Sequence, residues 1–176
     1  MLEARHSTLL LVDFQDKLAP VIDQAEETLV QAERLAKAAK LLNVPIIATE
    51  QNPHGLGHIA PILASFPDIA IPKMSFDAAR EPDLLRTLPQ ERPEIMIAGW
   101  EAHVCVLQTA LGLLREGFKP VVVVDAIGAR RADSKAIALQ RLAAHGVEIV
   151  TTEMVLFEWL GTADHPAFRA VLKLIK

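Results

Sequence analysis

Three side chains, far apart in the chain, are of the types needed to make and use a sulfur nucleophile: Asp13, Lys73 and the only cysteine, Cys105. Asp13 directly follows the apolar run TLLLV at 8–12, and Lys73 follows a short run ending at Pro72. Cys105 lies just beyond IMIAG at 95–99, where a helical pattern begins. A thiol at a helix N-terminus meets unpaired backbone N–H groups and the positive end of the dipole, which favour thiolate. A neighbouring ammonium lowers the thiol pKa further, and a carboxylate can accept the thiol proton. Each residue also has an ordinary explanation. Isolated cysteines are commonly core filler, an aspartate after a strand is commonly a turn residue, and a lysine is commonly a solvated charge.

What would bring them together is the fold. Runs at 8–12, 44–49, 69–71, 95–99, 121–124 and 147–151 are apolar without polar alternation, as in parallel strands buried on both faces. Between them, 25–42, 104–116 and 134–145 have helical spacing, and Leu29, Ala32, Leu35, Ala36 and Ala39 form one stripe. Gly117 and Gly146 close the second and third of these helices, and Asp133 and Ser134 are candidate caps. Two short helices are expected at 154–160 and 166–175, with loops at 52–57, 74–82, 89–93 and 128–133. Strand–helix alternation implies right-handed crossovers and a three-layer α/β/α sandwich with a mostly parallel six-stranded sheet, Rossmann-like in build. Ligands in such folds bind beyond the carboxyl ends of the strands, where all three residues fall.

The 176 residues suit one domain, 1–176, and the formal charge of −4 calls for neither nucleic acid nor an anionic membrane as partner. A single cysteine excludes an internal disulfide and fits a reducing, cytoplasmic setting. Asp13 interrupts the N-terminal apolar run too early for a signal peptide or membrane span.

The stretches LLLVDFQDKL, IPKMSFDA and IMIAGWEAHVCV resemble, in order, the aspartate, lysine and nucleophile motifs of the isochorismatase-like cysteine hydrolases. ATEQNPHGLG, GWEAHVCV and VLFEWLG are similar to the isochorismatase domain-containing subgroup. The resemblance implies a catalytic trio in which Asp13 takes the thiol proton, Lys73 holds the ion pair, and Cys105 attacks a carbonyl carbon to give an acyl-enzyme. It also implies an oxyanion hole from the backbone N–H groups of Glu101 and Cys105, shaped by a cis peptide at Trp100–Glu101. The implied substrate is a small amide, carbamoyl or ester compound, no cofactor is called for, and a homo-oligomer is expected.

Two departures from family patterns matter. Nicotinamidases of the family carry an Asp-x-His metal motif after the second strand, whereas this chain reads TEQNPHGLGH. Glu50, His54 and His58 lack that spacing, and no metal is expected. Isochorismatases proper lack the nucleophilic cysteine that this chain has. Phe14, Gln51, Phe76 and Trp100 flank the three motifs and are candidate substrate contacts, apolar walls with one amide, although core packing explains the rings equally well. His103 and Asp125 are expected to play supporting roles, and Arg130 and Arg131 are most simply exposed charges. The competing readings are an inactive family member acting as a scaffold or thiol redox protein, and a flavodoxin-like anion-binding module. VDFQDKLAP has no glycine with which to cradle phosphate, which argues against the latter.

Overall fold

The computed structural model describes residues 1–176. Its strands are β1 (Ser7–Val12), β2 (Ile46–Gln51), β3 (Ile69–Lys73), β4 (Glu94–Trp100), β5 (Lys119–Gly128) and β6 (Glu148–Val150). The helices are α1 (Ala25–Leu41), α2 (Pro53–Leu56), α3 (Pro82–Thr87), α4 (Leu107–Arg115), α5 (Ala132–Ala144), α6 (Thr152–Leu160) and α7 (Phe168–Leu172). A π-helical turn, Ala102–Val106, leads into α4. The six strands form one sheet in the order β3-β2-β1-β4-β5-β6, and every pairing is parallel.

Alternate side chains of each strand enter opposite layers. Leu9 and Leu11 of β1 join Ala32, Leu35 and Ala36 of α1 and Val155, Leu156 and Trp159 of α6 on one face. Leu10 and Val12 join Leu84 of α3, Ala110 and Leu113 of α4, and Leu142 of α5 on the other. Strand β1 is buried at every position, as its apolar run predicts, and so is β2, although it ends in Thr49, Glu50 and Gln51. Strand β3 is an edge, with Ile69 and Ala70 exposed.

The strand order reverses between β1 and β4. Successive strands step outward from β1 to β3, and the chain then crosses back to lay β4 beside β1. The crevice above such a reversal is where parallel α/β sheets bind ligands. Asp13 leaves β1 and Cys105 follows β4, so both stand at this crevice.

Several local expectations change. Both Pro53 and Pro82 read as loop markers, yet each occupies the first turn of a short helix, where a missing N–H costs nothing. Helix α5 begins at Ala132, and Asp133 pairs with Arg131 instead of capping it. The pattern at 104–116 resolves into the π-turn and α4, and that at 166–175 contracts to α7. Gly117 and Gly146 adopt φ of 86° and 82°, the left-handed termination expected of them.

Candidate active site

Asp13, Lys73 and Cys105 converge at the carboxyl edge of the sheet. Parallel pairing sets this up, because register aligns Val12 with Thr49 and Gln51 with Lys73, so three strands deliver their last residues to one rim. Asp13 sits at φ 52°, a left-handed conformation that Asp tolerates better than most residues. Its Oδ1 accepts from Thr49 Oγ1 at 2.8 Å and its Oδ2 from Lys73 Nζ at 2.7 Å. Both partners of the ion pair have 0% side-chain exposure. Lys73 Nζ also donates to Gln51 Oε1 at 2.8 Å and to the Ser75 carbonyl at 3.3 Å. A buried pair of this kind is tolerated because the remaining valences of both ions are filled.

Cys105 lies in the π-turn, 5% exposed. Its thiol pKa is pushed up to about 12, first by burial, then by the Asp13 charge and by a hydrogen bond to that carboxylate, with Glu101 adding to the rise. Lys73 pulls in the other direction and is outweighed. The pull toward thiolate expected from a helix N-terminus and an ammonium is therefore outweighed. Desolvation penalises the anion more than the ammonium rewards it, since Lys73 is already paired with Asp13. The resting group is a neutral thiol facing a carboxylate.

Close backbone approach brings β4 to this position. A Cβ on Gly99 would stand 2.3 Å from the Val12 carbonyl oxygen, so only glycine allows β4 to end so near β1. The Trp100–Glu101 peptide that follows is cis. Trp100 is fully buried, donates from Nε1 to Thr28 Oγ1 at 2.9 Å, and packs edge-on against Phe14 with centroids 5.1 Å apart. The Glu101 N–H has no acceptor within the protein, and its Oε1 lies 2.5 Å from Arg130 Nε.

The proposed substrate contacts separate into three kinds. Phe14 and Trp100 are core side chains with no exposed surface, so their rings belong to packing. Gln51 has no free amide: its oxygen accepts from Lys73 and its Nε2 donates to the Met74 carbonyl at 2.8 Å. Only Phe76, 52% exposed, remains open to a ligand, two residues after the still more exposed Met74. Gln15, passed over in the sequence, is fully buried and brackets the Gln51 backbone, accepting from its N–H at 2.8 Å and donating to its carbonyl at 3.0 Å. Thr49 was missed likewise. The only available signal was its place as the last residue of the run 44–49.

Other residues settle into structure. Asp125 accepts from the Thr152 N–H and hydroxyl and so anchors the start of α6. Glu50 accepts from the Ile59 N–H and pairs with His58 at 3.0 Å, while His54 lines a separate depression. That depression, about 330 Å³, is bounded by Pro53, Pro72, Lys73, Met74 and Glu81 and reaches the rim of the site. A wider groove of about 560 Å³ runs between the π-turn and α5, lined by His103, Arg131, Ile137 and Arg141 among others, and does not include Cys105.

A sequence profile of the isochorismatase domain matches residues 7–154. Isochorismatase domain-containing protein 2 of Danio rerio is 36% identical over 176 residues, spanning 99% of this chain and 89% of the relative. The chain belongs to the isochorismatase family. A MAR1 ribonuclease structure from Caenorhabditis elegans superposes with a TM-score of 0.94 at 36% identity, over 99% of this chain and 91% of that one. YcaC of Escherichia coli, an octameric hydrolase of unknown specificity, superposes with a TM-score of 0.91 at 27% identity, over 99% and 88%. Its counterpart from Pseudomonas aeruginosa, solved with covalent acrylamide, does so at 0.88 and 27%, over 98% and 90%. The isochorismatase-like hydrolase fold is therefore established for this chain. No helix is long and apolar enough to cross a membrane.

Proposed function

We propose that this protein is a cysteine hydrolase that cleaves a small amide, carbamoyl or ester substrate through an acyl-enzyme on Cys105. One observation carries the reading: the Cys105 thiol stands beside a carboxylate that is itself tied to a buried ammonium at 2.7 Å. A thiol in that position needs a base at the moment of attack, and Asp13 is the adjacent one. As Sγ bonds to the carbonyl carbon, the thiol proton passes to Asp13, and the carbonyl oxygen becomes an oxyanion. Glu101 N–H, free of any protein acceptor, serves as one donor to it in this reading, with Cys105 N–H as the second. Collapse expels the amine or alcohol, which takes the proton from Asp13. Water then attacks the thioester, gives a proton to Asp13, and releases the acid, and that proton returns to the thiolate. No electrons change hands and no cofactor enters the cycle.

Support comes from a relative as well. A structure holding covalent acrylamide records an amide-bearing electrophile bonded to a protein of the same fold. The exposed, apolar Met74 and Phe76 suit a small, largely neutral substrate. The reading further takes residues 1–176 as one domain that acts in a reducing, cytoplasmic setting as a homo-oligomer. The octameric Escherichia coli relative is the precedent for the last point.

The test is a hydrolysis panel of amides, carbamoyl compounds, esters and hydroxamates, with RNA included because one neighbour is called a ribonuclease. Cys105→Ser is the blank, and intact-protein mass spectrometry of quenched reactions looks for the acyl adduct. Turnover and an adduct that both vanish in Cys105→Ser support the proposal. RNA cleavage that persists in Cys105→Ser would replace it with a nuclease that does not use this thiol. Reversible oxidation of Cys105 with no hydrolysis of any compound would replace it with a redox role.

A further inference from the structure

Lys73 has three N–H donors and meets three acceptors: Asp13 Oδ2, Gln51 Oε1 and the Ser75 carbonyl. A buried ammonium is satisfied by that set, whereas a neutral amine would turn its lone pair on one of them. Among the three, Asp13 is the group that exchanges a proton in the cycle above, and the Ser75 contact is the longest at 3.3 Å. Gln51 is the short contact that carries no charge and takes up no proton.

The Gln51 side chain has one orientation available. Lys73 requires its oxygen, and the Met74 carbonyl requires its amide nitrogen. Its backbone is held too, since Gln15 clasps both the N–H and the carbonyl of Gln51 and extends a second bond from Nε2 to the Gly57 carbonyl at 2.6 Å. Both side chains lie in the buried interior, where such a clasp is not weakened by water.

We infer that Gln51, braced by Gln15, is a positioning residue that holds Lys73 as a fixed ammonium, so that Lys73 supplies charge without exchanging a proton during turnover. The inference rests on the proposed hydrolase reading. If Lys73 handed a proton to Asp13 at rest, the only adjacent base would be spent before the thiol could use it. By keeping all three Lys73 protons engaged, Gln51 confines proton traffic to Cys105, Asp13 and the leaving group. Lys73 then balances the negative charge that Asp13 and the thiol share at every stage.

Two measurements test this on the full chain. The first follows the Lys73 ammonium by nuclear magnetic resonance in protein grown on isotope-labelled lysine, reading the solvent-exchange lifetime of its protons, with Lys73→Met to assign the signal. The second follows p-nitrophenol release from p-nitrophenyl acetate, with Cys105→Ser as the blank. In Gln51→Met, which keeps the length of the side chain but not the acceptor, the ammonium lifetime should shorten and kcat should fall, each by about tenfold or more, with KM little changed. Gln51→Glu restores an acceptor and should restore the lifetime, a recovery that a purely structural role does not predict. If Gln51→Met fails to fold, Gln15→Met, which loosens the clasp from outside, should shorten the lifetime in the same sense. Unchanged lifetime and unchanged kcat in folded Gln51→Met, while Lys73→Met abolishes ester cleavage, would overturn the inference and leave the hydrolase reading intact. Ester cleavage that ignores Cys105→Ser would instead sink the hydrolase reading, and the lifetimes would still report whether Gln51 fixes the ammonium.

Discussion

Replacing Asp13 with Asn should move two properties of the site in opposite directions. The thiol at position 105 stands at about 12, against an ordinary value of 9.0. That difference is about a thousandfold in ionisation, or about 4 kcal/mol. At pH 7 it leaves on the order of one thiolate in a hundred thousand molecules. Asp13 contributes to the rise twice, through its charge and through its hydrogen bond, while Lys73 acts against it. Asn keeps the shape of the side chain, removes the charge, and leaves the Lys73 ammonium unopposed beside the sulfur. The thiol should therefore ionise more readily in Asp13→Asn, by about tenfold or more, equivalent to at least about 1.4 kcal/mol. Turnover should nonetheless fall by about 10²- to 10⁴-fold, the usual loss on removing a general base. Thiolate absorbance in the ultraviolet, titrated against pH with Cys105→Ser as the blank, reads the first quantity, and steady-state hydrolysis reads the second. A thermal melt confirms that the variant is folded. A titration midpoint that stays put or rises in Asp13→Asn would refute the argument, because it would mean that the carboxylate does not face the sulfur. Retained turnover would remove Asp13 from its role as base.

Three further outcomes follow from the same contacts. The folded thiol holds its proton more tightly than the unfolded one, so its stabilising effect is full below pH 9 and fades as pH rises towards 12. Denaturant unfolding at pH 8 and pH 10 should show the wild type losing about 1.4 kcal/mol more than Cys105→Ala over that interval, and equal losses would contradict the raised value. Gly99→Ala would force a Cβ to within 2.3 Å of the Val12 carbonyl, and urea melts should show a loss of about 3 kcal/mol, with ester cleavage reduced as β4 retreats from β1. Thr28→Val, nearly isosteric, strands the buried Trp100 indole N–H and should cost about 1–3 kcal/mol; a stability unchanged from wild type would show that this hydrogen bond does not help fix the strand end that bears Glu101.

Much of the fold was legible because buried parallel strands leave a plain trace. The runs at 8–12 and 95–99 became β1 and β4 with shifts of a residue at their ends, and Gly117 and Gly146 terminated the helices expected of them. The misses have physical causes. Pro53 and Pro82 each mark both a loop and the first turn of a helix, and the sequence offers no means of choosing between them. Phe14 and Trp100 looked like site walls because they adjoin the motifs. Side-chain direction instead sends both rings into the layer beneath, where they pack on each other. Gln51 looked like a free amide, and only its spatial neighbours at the end of β3, Lys73 and Met74, reveal that its side-chain oxygen and nitrogen are both committed.

By itself the sequence determined that the chain would build a parallel α/β sandwich and that one acid, one ammonium and one thiol would lie at strand ends. Residue type and apolar periodicity are local properties, written along the chain. Tertiary structure alone decided that these strand ends share one rim, and it also decided the state of the sulfur there. A helix N-terminus and a nearby cation argue for thiolate, but burial and a carboxylate already joined to that cation argue more strongly for the neutral thiol. Desolvation and charge pairing depend on everything within a few ångströms of the sulfur, and those neighbours come from β1, β3 and the turn after β4, separated in the chain and assembled only by the fold.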